Sequence, residues 1–193
     1  GVVGAAGFRA NPMIPGSIAT IFAANAAMFV ESTGGVPLAT MLGGTTVLVG
    51  GNLQAPLFFS APTQINFQVP WEMPVGEPVT FRVQIGPDAS QPVTVPTATH
   101  APAIFTLEGI RPAQGAILIA NTTGMIPAPV GVASNTRPVV RGELLEIFAT
   151  GLGPVTNRPE TGEIAISFPL SRHFTRSRRR TACCSLLRVA NFS

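Results

Sequence analysis

Two neighbouring stretches of the chain, QINFQV at residues 64–69 and VTFRVQI at residues 79–85, alternate between polar and apolar side chains. Successive side chains of a β-strand point to opposite faces of a sheet, so this period of two predicts two strands, each with one buried face. The intervening PWEMPVGEP at residues 70–78 contains three prolines and one glycine, which exclude a helix and favour a loop at the end of a sandwich.

Other strand candidates extend in both directions from this pair. They are Ser17–Ala23, Thr45–Val49, Gln54–Phe59, Pro92–Val95, Ala103–Leu107, Gly115–Ala120 and Glu143–Ala149. Glycine or proline separates most neighbours, and no segment shows a sustained helical stripe, although the short Ala23–Met28 segment fits either a helix or a loop. This spacing predicts an all-β sandwich.

Composition limits the class of protein. Hydrophobic residues make up 46% and charged residues 11% of 193 residues, which indicates a folded chain with an apolar core. Residues 1–171 carry six arginines and all nine acids, whereas residues 172–193 carry six arginines and no acid. The net positive charge therefore belongs to the C-terminal segment.

Cysteine and hydropathy patterns exclude several other classes. The only cysteines are the adjacent Cys183 and Cys184, which cannot build a disulfide framework or a zinc knuckle. The longest apolar stretch, 18–30, is too short to span a membrane. We therefore predict no membrane span, and the sequence shows no signal peptide.

An internal similarity predicts the domain organisation. GSIATIFA at 16–23 recurs as GELLEIFA at 142–149, and the Pro-Leu pair at 37–38 recurs at 169–170, which indicates two copies of one module. The predicted parts are a lead-in segment (1–11), a complete sandwich (12–101), a connector with a short hairpin (102–136), the start of an incomplete second module (137–172) and an Arg-rich tail (173–193).

Several of these motifs together resemble a known family. PGSIATIFAAN, QINFQVPWEMPVG, QGAILIANTTG and RGELLEIFATGLGPV resemble, in order and spacing over residues 2–171, an uncharacterised repeat domain of Solibacter-type Acidobacteria. The middle stretch is also similar to IPT/TIG immunoglobulin-like domains. The resemblance implies an immunoglobulin-like sandwich in a secreted or surface bacterial protein, and it supplies no catalytic residues.

The pattern of the first module stops after Arg172. In the first copy PLAT is followed by MLGGTTVLVGG, whereas in the second PLSR is followed by HFTRSRRRTACCSLLRVANFS. We expect this tail to be disordered or the product of a shifted reading frame, which leaves the second copy truncated. The alternative, nucleic-acid or anionic-surface binding through Arg176–Arg180, is disfavoured because no nucleic-acid-binding signature accompanies the cluster.

Residues suited to catalysis or metal binding are scarce. Asp88 is the single aspartate, and we interpret His100 as a solvated loop residue. Glu143 and Glu146 are three apart on a predicted strand and so project to opposite faces. We therefore predict no enzyme activity, no cofactor and no metal site.

Trp71 is the strongest candidate for a ligand or partner contact, together with Phe67 and Met73. An exposed aromatic side chain can stack on a sugar ring or anchor a partner, but large aromatics more often bury, and we favour a plug at the end of the sandwich. The expected function is that of a non-catalytic spacer, adhesion or carbohydrate-binding repeat, extracellular or on the cell surface. Polysaccharide, another surface protein or neighbouring domains are the expected partners; the remaining alternative is an accessory domain of a larger secreted enzyme.

Overall fold

The computed structural model describes residues 1–10, 12–107 and 113–165, together with the backbone of residues 181–183 and 186–189. Throughout this described part the regular structure consists of β-strands, with no helix. Consequently no described segment is a helix that is long and apolar enough to cross a membrane. The segment 23–28, which the sequence left open, forms turns and irregular structure.

The strands are short, as the frequent glycines and prolines predict. In chain order they are β1 (Val2–Gly4), β2 (Ile18–Phe22), β3 (Glu31–Ser32), β4 (Thr45–Val49), β5 (Leu53–Ala55), β6 (Leu57–Ala61), β7 (Gln64–Gln68), β8 (Val79–Ile85), β9 (Asp88–Ala89), β10 (Val93–Val95), β11 (Ala103–Ile104), β12 (Thr106–Leu107), β13 (Gln114–Gly115), β14 (Ile117–Ile119), β15 (Ile126–Pro127), β16 (Thr136–Arg137), β17 (Leu145–Thr150), β18 (Thr181–Cys183) and β19 (Leu186–Val189).

Residues 1–100, here called the first unit, form two antiparallel sheets. Sheet I has the strand order β1-β2-β7-β6-β3, and sheet II has the order β10-β8-β4-β5, with β9 also paired to β8. The segment before β2 connects the sheets, because Met13 forms a parallel bridge with Thr97, just after β10. Because β1 pairs with β2, sheet I begins within residues 1–11, the segment predicted to be a lead-in.

The core of the first unit lies between the two sheets. The two stretches that predicted the fold supply Phe67 from sheet I and Phe81 from sheet II, whose ring centroids are 5.9 Å apart. Both side chains are buried, and so are Ile65, Val79 and Val83 on the same strands. The predicted alternation therefore marks the inner faces of both sheets, where burial of apolar surface stabilises the fold.

Residues 101–165, with β18 and β19, form the second unit. Strand β17 is central in its sheet: β11 and β14 pair with one edge of β17 and β19 with the other, while β18 pairs with β19. Strands β12 and β13 pair as the hairpin predicted for the connector. The strand predicted at 143–149 is thus hydrogen-bonded on both edges.

Substitution of a core aromatic tests the inter-sheet contact. Phe81→Ala leaves a cavity opposite Phe67, and we expect the free energy of unfolding to fall by about 3–5 kcal/mol. The measurement is urea denaturation followed by circular dichroism. The matched control is Phe29→Ala, because Phe29 is 64% exposed and its loss should change stability by less than about 0.5 kcal/mol. Equal destabilisation by both substitutions would contradict the assigned core.

An ion pair just before β17 makes a pH-dependent contribution. Arg137 donates two hydrogen bonds to the Glu143 carboxylate, at 2.9 and 2.5 Å, and the Val140 backbone N–H donates a third at 2.7 Å. The Arg137 hydrogen bonds, followed by that of Val140, lower the pKa of Glu143 from 4.5 to about 2. Glu143 is therefore bound mainly as the carboxylate in the folded protein.

The stabilisation by this pair should disappear in acid. Because the folded-state pKa of Glu143 is depressed, its contribution is fully present above about pH 4.5 and is lost as the pH falls toward about 2. Thermal unfolding of the wild type and Glu143→Gln should therefore differ most near neutral pH and converge in acid. Glu163→Gln, at an exposed site, is the control. A Glu143→Gln difference that stays constant between these pH limits would refute the assignment.

Candidate functional site at the junction of the two units

Trp71 follows β7 and lies against Gly16. The backbone of Gly16 donates a hydrogen bond to the Val69 carbonyl (2.8 Å), and Val69 donates to the Ser17 carbonyl (2.8 Å), which places Gly16 beside the start of the 70–78 loop. A Cβ atom on Gly16 would lie 2.2 Å from the Trp71 ring. Only glycine leaves room for the indole here, and only glycine adopts the local φ of +75° without strain.

The guanidinium group of Arg158, from the second unit, lies over the Trp71 ring at 5.8 Å from its centroid. This distance is within the range of a cation–π interaction. The indole therefore contacts Gly16 of the first unit and Arg158 of the second. Trp71 is 8% exposed, Met73 3% and Phe67 0%, so the three predicted contact residues present little surface to a ligand.

Thr161 connects the Trp71 loop to the second unit. The backbone N–H of Trp71 donates to Thr161 Oγ1 at 3.0 Å, and the same hydroxyl donates to Glu72 Oε2 at 2.6 Å. The indole Nε1 of Trp71 is buried and has no hydrogen-bond acceptor within the part of the chain that the structure describes. A buried indole N–H normally finds a partner. Since this one has none among the described residues, packing rather than hydrogen bonding holds the ring in place.

Gln68 makes a second connection on the outer face of sheet I. Its Oε1 accepts a hydrogen bond of 2.7 Å from the Gly162 backbone N–H, and the Gly162 carbonyl accepts one of 2.8 Å from Leu38. At the start of β2 the Ile18 N–H donates to Thr150 Oγ1 at 2.8 Å. The second unit therefore packs on the face of sheet I that points away from the sandwich core.

Three glycines of the second unit lie at close approaches, Gly151 to Ala101 of the same unit and Gly153 and Gly162 to the first unit. A Cβ on Gly151 would lie 2.3 Å from the Ala101 carbonyl oxygen, and one on Gly153 would lie 2.2 Å from the His100 ring; Gly162 contacts Pro56. His100, interpreted from the sequence as a solvated loop residue, is exposed but lies beside Gly153. These contacts explain why the ATGLG segment is rich in glycine.

A cleft of about 340 Å³ opens beside this junction. Its lining includes Pro15, Trp71 and Met73 from the first unit and Pro154 and Arg158 from the second. Arg158 has no salt-bridge partner among the described residues. The cleft is thus mostly apolar with one cation at Trp71.

The other candidate groups remain separate. Within residues 1–10, 12–107 and 113–165, no three His, Cys, Asp or Glu side chains come close enough to hold a metal ion. Glu143 is engaged by Arg137. The arginine cluster 176–180 lies outside the described residues.

Comparisons of the chain with protein-family models, with curated proteins and with solved structures gave no match. The geometry of the junction must therefore be interpreted from its own contacts.

Sequence reasoning identified Trp71 but missed the residues that cover it. Gln68 lies on the polar side of an alternating strand, and Arg158, Thr161 and Gly162 lie in a loop with no recognisable motif. In the sequence, only the glycines of ATGLG at residues 149–153 indicated that two backbone segments approach each other closely. The pairing of these segments depends on how the units dock, which periodicity does not reveal.

Gly16 offers a matched test of the Trp71 packing. Gly16 and Gly44 have nearly equal positive φ values, +75° and +73°, but a Cβ on Gly44 would meet nothing within 4 Å. We expect Gly44→Ala to cost only the backbone strain of about 1–2 kcal/mol, whereas Gly16→Ala should cost more and should change the fluorescence of Trp71, the single tryptophan. Chemical denaturation with fluorescence measures both effects, and equal costs would argue against the packing.

Proposed function

We propose that the chain is a non-catalytic structural module, a spacer built from one immunoglobulin-like unit and an incomplete second copy docked on it, in a longer bacterial protein of the cell surface or extracellular space. The observation that carries the proposal is the junction, where buried side chains and glycine contacts join the units. Its extracellular location rests on the resemblance to the Solibacter-type repeat.

The strand order of the first unit supports an immunoglobulin-like assignment. Immunoglobulin domains place strands A, B, E and D in one sheet and C, F and G in the other, with C′ added in the variable type. Assigning β1, β2, β7 and β6 to A, B, E and D, and β4, β5, β8 and β10 to C, C′, F and G, reproduces both the chain order and the sheet order. The short β3 and β9 are additions to this plan.

Several correspondences support two copies of one module. Gly16 and Gly142, which begin the two similar segments, both have positive φ, and so do Asn25 and Gly151 at their ends. In each unit one antiparallel neighbour pairs with the repeated strand in the same register: Val2 of β1 opposes Ile21, and Ile117 of β14 opposes Ile147. Ile21 and Ile147 occupy equivalent positions in the repeat, as expected for a second copy that begins like the first.

Two units that are docked on each other hold a fixed relative orientation, which is the property that a spacer requires. Interfaces between domains of one chain often permit relative motion unless they are large and apolar. Here Gln68 and Thr20 of the outer sheet face are buried, and the Gly162 N–H is bonded to the buried Gln68. Moving the units apart would leave these polar groups unpaired or newly hydrated, and would expose the Trp71 plug.

The junction also bears on the alternative of carbohydrate adhesion through Trp71. Stacking on a sugar requires a free face of the indole ring, whereas Trp71 is buried, Gly16 packs against its ring and the Arg158 guanidinium lies over it. A structural role for Trp71 accounts for both contacts.

Coupling between the units is the property to test. We expect the full chain to unfold in one calorimetric transition, and Gln68→Ala to destabilise it by about 1–3 kcal/mol because the Gly162 N–H loses its partner. Hydrogen exchange at the Gly162 amide should accelerate in this variant. Gln54→Ala is the control, because Gln54 is exposed and bonds only to Thr40 within its own unit. Two independent calorimetric transitions in the wild type would contradict the spacer proposal. An unchanged rate of hydrogen exchange at the Gly162 amide in Gln68→Ala would also contradict it.

A further inference from the structure

A second groove, distinct from the Trp71 cleft, lies on the outer face of sheet I. It has a volume of about 340 Å³ and is lined by three phenylalanines, Phe8, Phe58 and Phe105, with Thr20 and Asn66 also in the lining. Phe8 and Phe58 belong to the first unit and Phe105 to the second, so docking of the units completes the groove. We refer to it as the phenylalanine groove.

Each of its aromatic walls is held by the surrounding structure. Phe8 packs edge-to-face against Phe22, with ring centroids 5.3 Å apart. Phe58 is the extra residue where the register between β6 and β7 shifts, and such a bulge redirects a side chain. Phe105 is anchored through its backbone, which donates to Phe148 at 3.0 Å and accepts from Ala116 at 2.6 Å. The walls are therefore preorganised.

Asn66 supplies hydrogen-bonding capacity to the groove. Its Oδ1 accepts bonds of 2.9 Å from Thr20 Oγ1 and from Gln64 Nε2. Both bonds use the Asn66 Oδ1 as the acceptor, because an amide nitrogen such as Gln64 Nε2 only donates. The Asn66 Nδ2 has no acceptor among the described residues and retains its two donor hydrogens. The hydroxyl of Thr106, in the same lining, likewise has no hydrogen-bond partner among the described residues.

We propose that the phenylalanine groove is a binding site for a neutral saccharide. Sugar rings combine an apolar face of C–H groups, which can pack on aromatic rings, with hydroxyls that both donate and accept hydrogen bonds. The groove offers both complements: three phenylalanine rings, a free amide donor on Asn66 and a hydroxyl on Thr106 that donates or accepts. Its volume lies near the lower end of the range for small-ligand sites, about 300–1,000 Å³.

The absence of charge in the lining selects between ligand classes. No residue that lines the groove carries a charge, so it offers nothing to the phosphates of a nucleic acid or to a sulfated or acidic glycan. A polyproline peptide could also lie against aromatic rings. Such a peptide presents carbonyl acceptors but no N–H donors, so it would leave the acceptor capacity of Thr106 unused. A neutral saccharide uses both capacities.

The saccharide-site proposal adds a ligand to the proposed spacer role, and each of the two proposals can fail while the other holds. Loss of saccharide binding would leave the coupling between the units intact, and coupling could fail while the aromatic residues of the first unit remained in place. The two experiments therefore report on different residues, Gln68 for the junction and the phenylalanines for the groove.

Calorimetric titration of the full chain with neutral oligosaccharides tests the site. The probes are cellohexaose, xylohexaose, mannohexaose and maltohexaose, with glucose to distinguish a free monosaccharide from a polymer and decaproline as the peptide alternative. We expect at least one hexasaccharide to bind. Phe8→Ala and Phe105→Ala should each weaken binding by about tenfold or more. Phe29→Ala removes an exposed phenylalanine outside the groove and should have no effect.

A spectroscopic readout reports on Asn66 directly. In proton–nitrogen NMR spectra the side-chain amide signals of Asn66 should shift on saccharide addition, while those of the exposed Asn25 should not. Phe8 is 53% exposed, so Phe8→Ala is expected to fold even if Phe105→Ala does not. The proposal is overturned if none of the saccharides binds in the millimolar range, if Phe8→Ala binds as tightly as Phe29→Ala, or if only decaproline binds.

Discussion

The contact between the inner faces of sheets I and II is the constraint on which the rest of the structure depends. Phe67 and Phe81 meet across the sandwich, and their strands, β7 and β8, flank the 70–78 loop that carries Trp71. Because closely packed cores tolerate little displacement, the sheet separation also fixes where this loop lies. The position of Trp71 beside Gly16 follows from this packing rather than from any property of the loop itself.

The outer face of sheet I has a different role from its inner face. Its side chains include polar ones, yet Thr20, which bonds to Asn66, is fully buried and Gln68, which bonds to Gly162 of the second unit, is nearly so. Farther along the same strands Asn66 lies in the phenylalanine groove. One alternating strand thus contributes apolar residues to the core and polar residues to an interface between units, where hydrogen bonds can offset the cost of burial.

Close packing also explains the distribution of glycine. Gly16 accommodates the indole of Trp71, whereas Gly151 and Gly153 admit the Ala101 carbonyl and the His100 ring. Gly151 and Gly153 follow β17, whose Thr150 is bonded to Ile18 at the start of β2. A side chain at any of the three positions would separate the surfaces that now touch, so the close approach depends on glycine at each.

The sequence by itself determined the all-β class, the two central strands and the inner face of each, because period-two alternation reports directly on which side chains a sheet buries. It also identified β17 as a strand and Trp71 as an aromatic residue at the end of the sandwich. Only the tertiary structure decided that Arg158 covers the indole, that Gln68 is buried and that Phe8, Phe58 and Phe105 share a groove. These arrangements join residues 47 to 97 positions apart in a chain of 193, and local periodicity carries no information about such distant contacts.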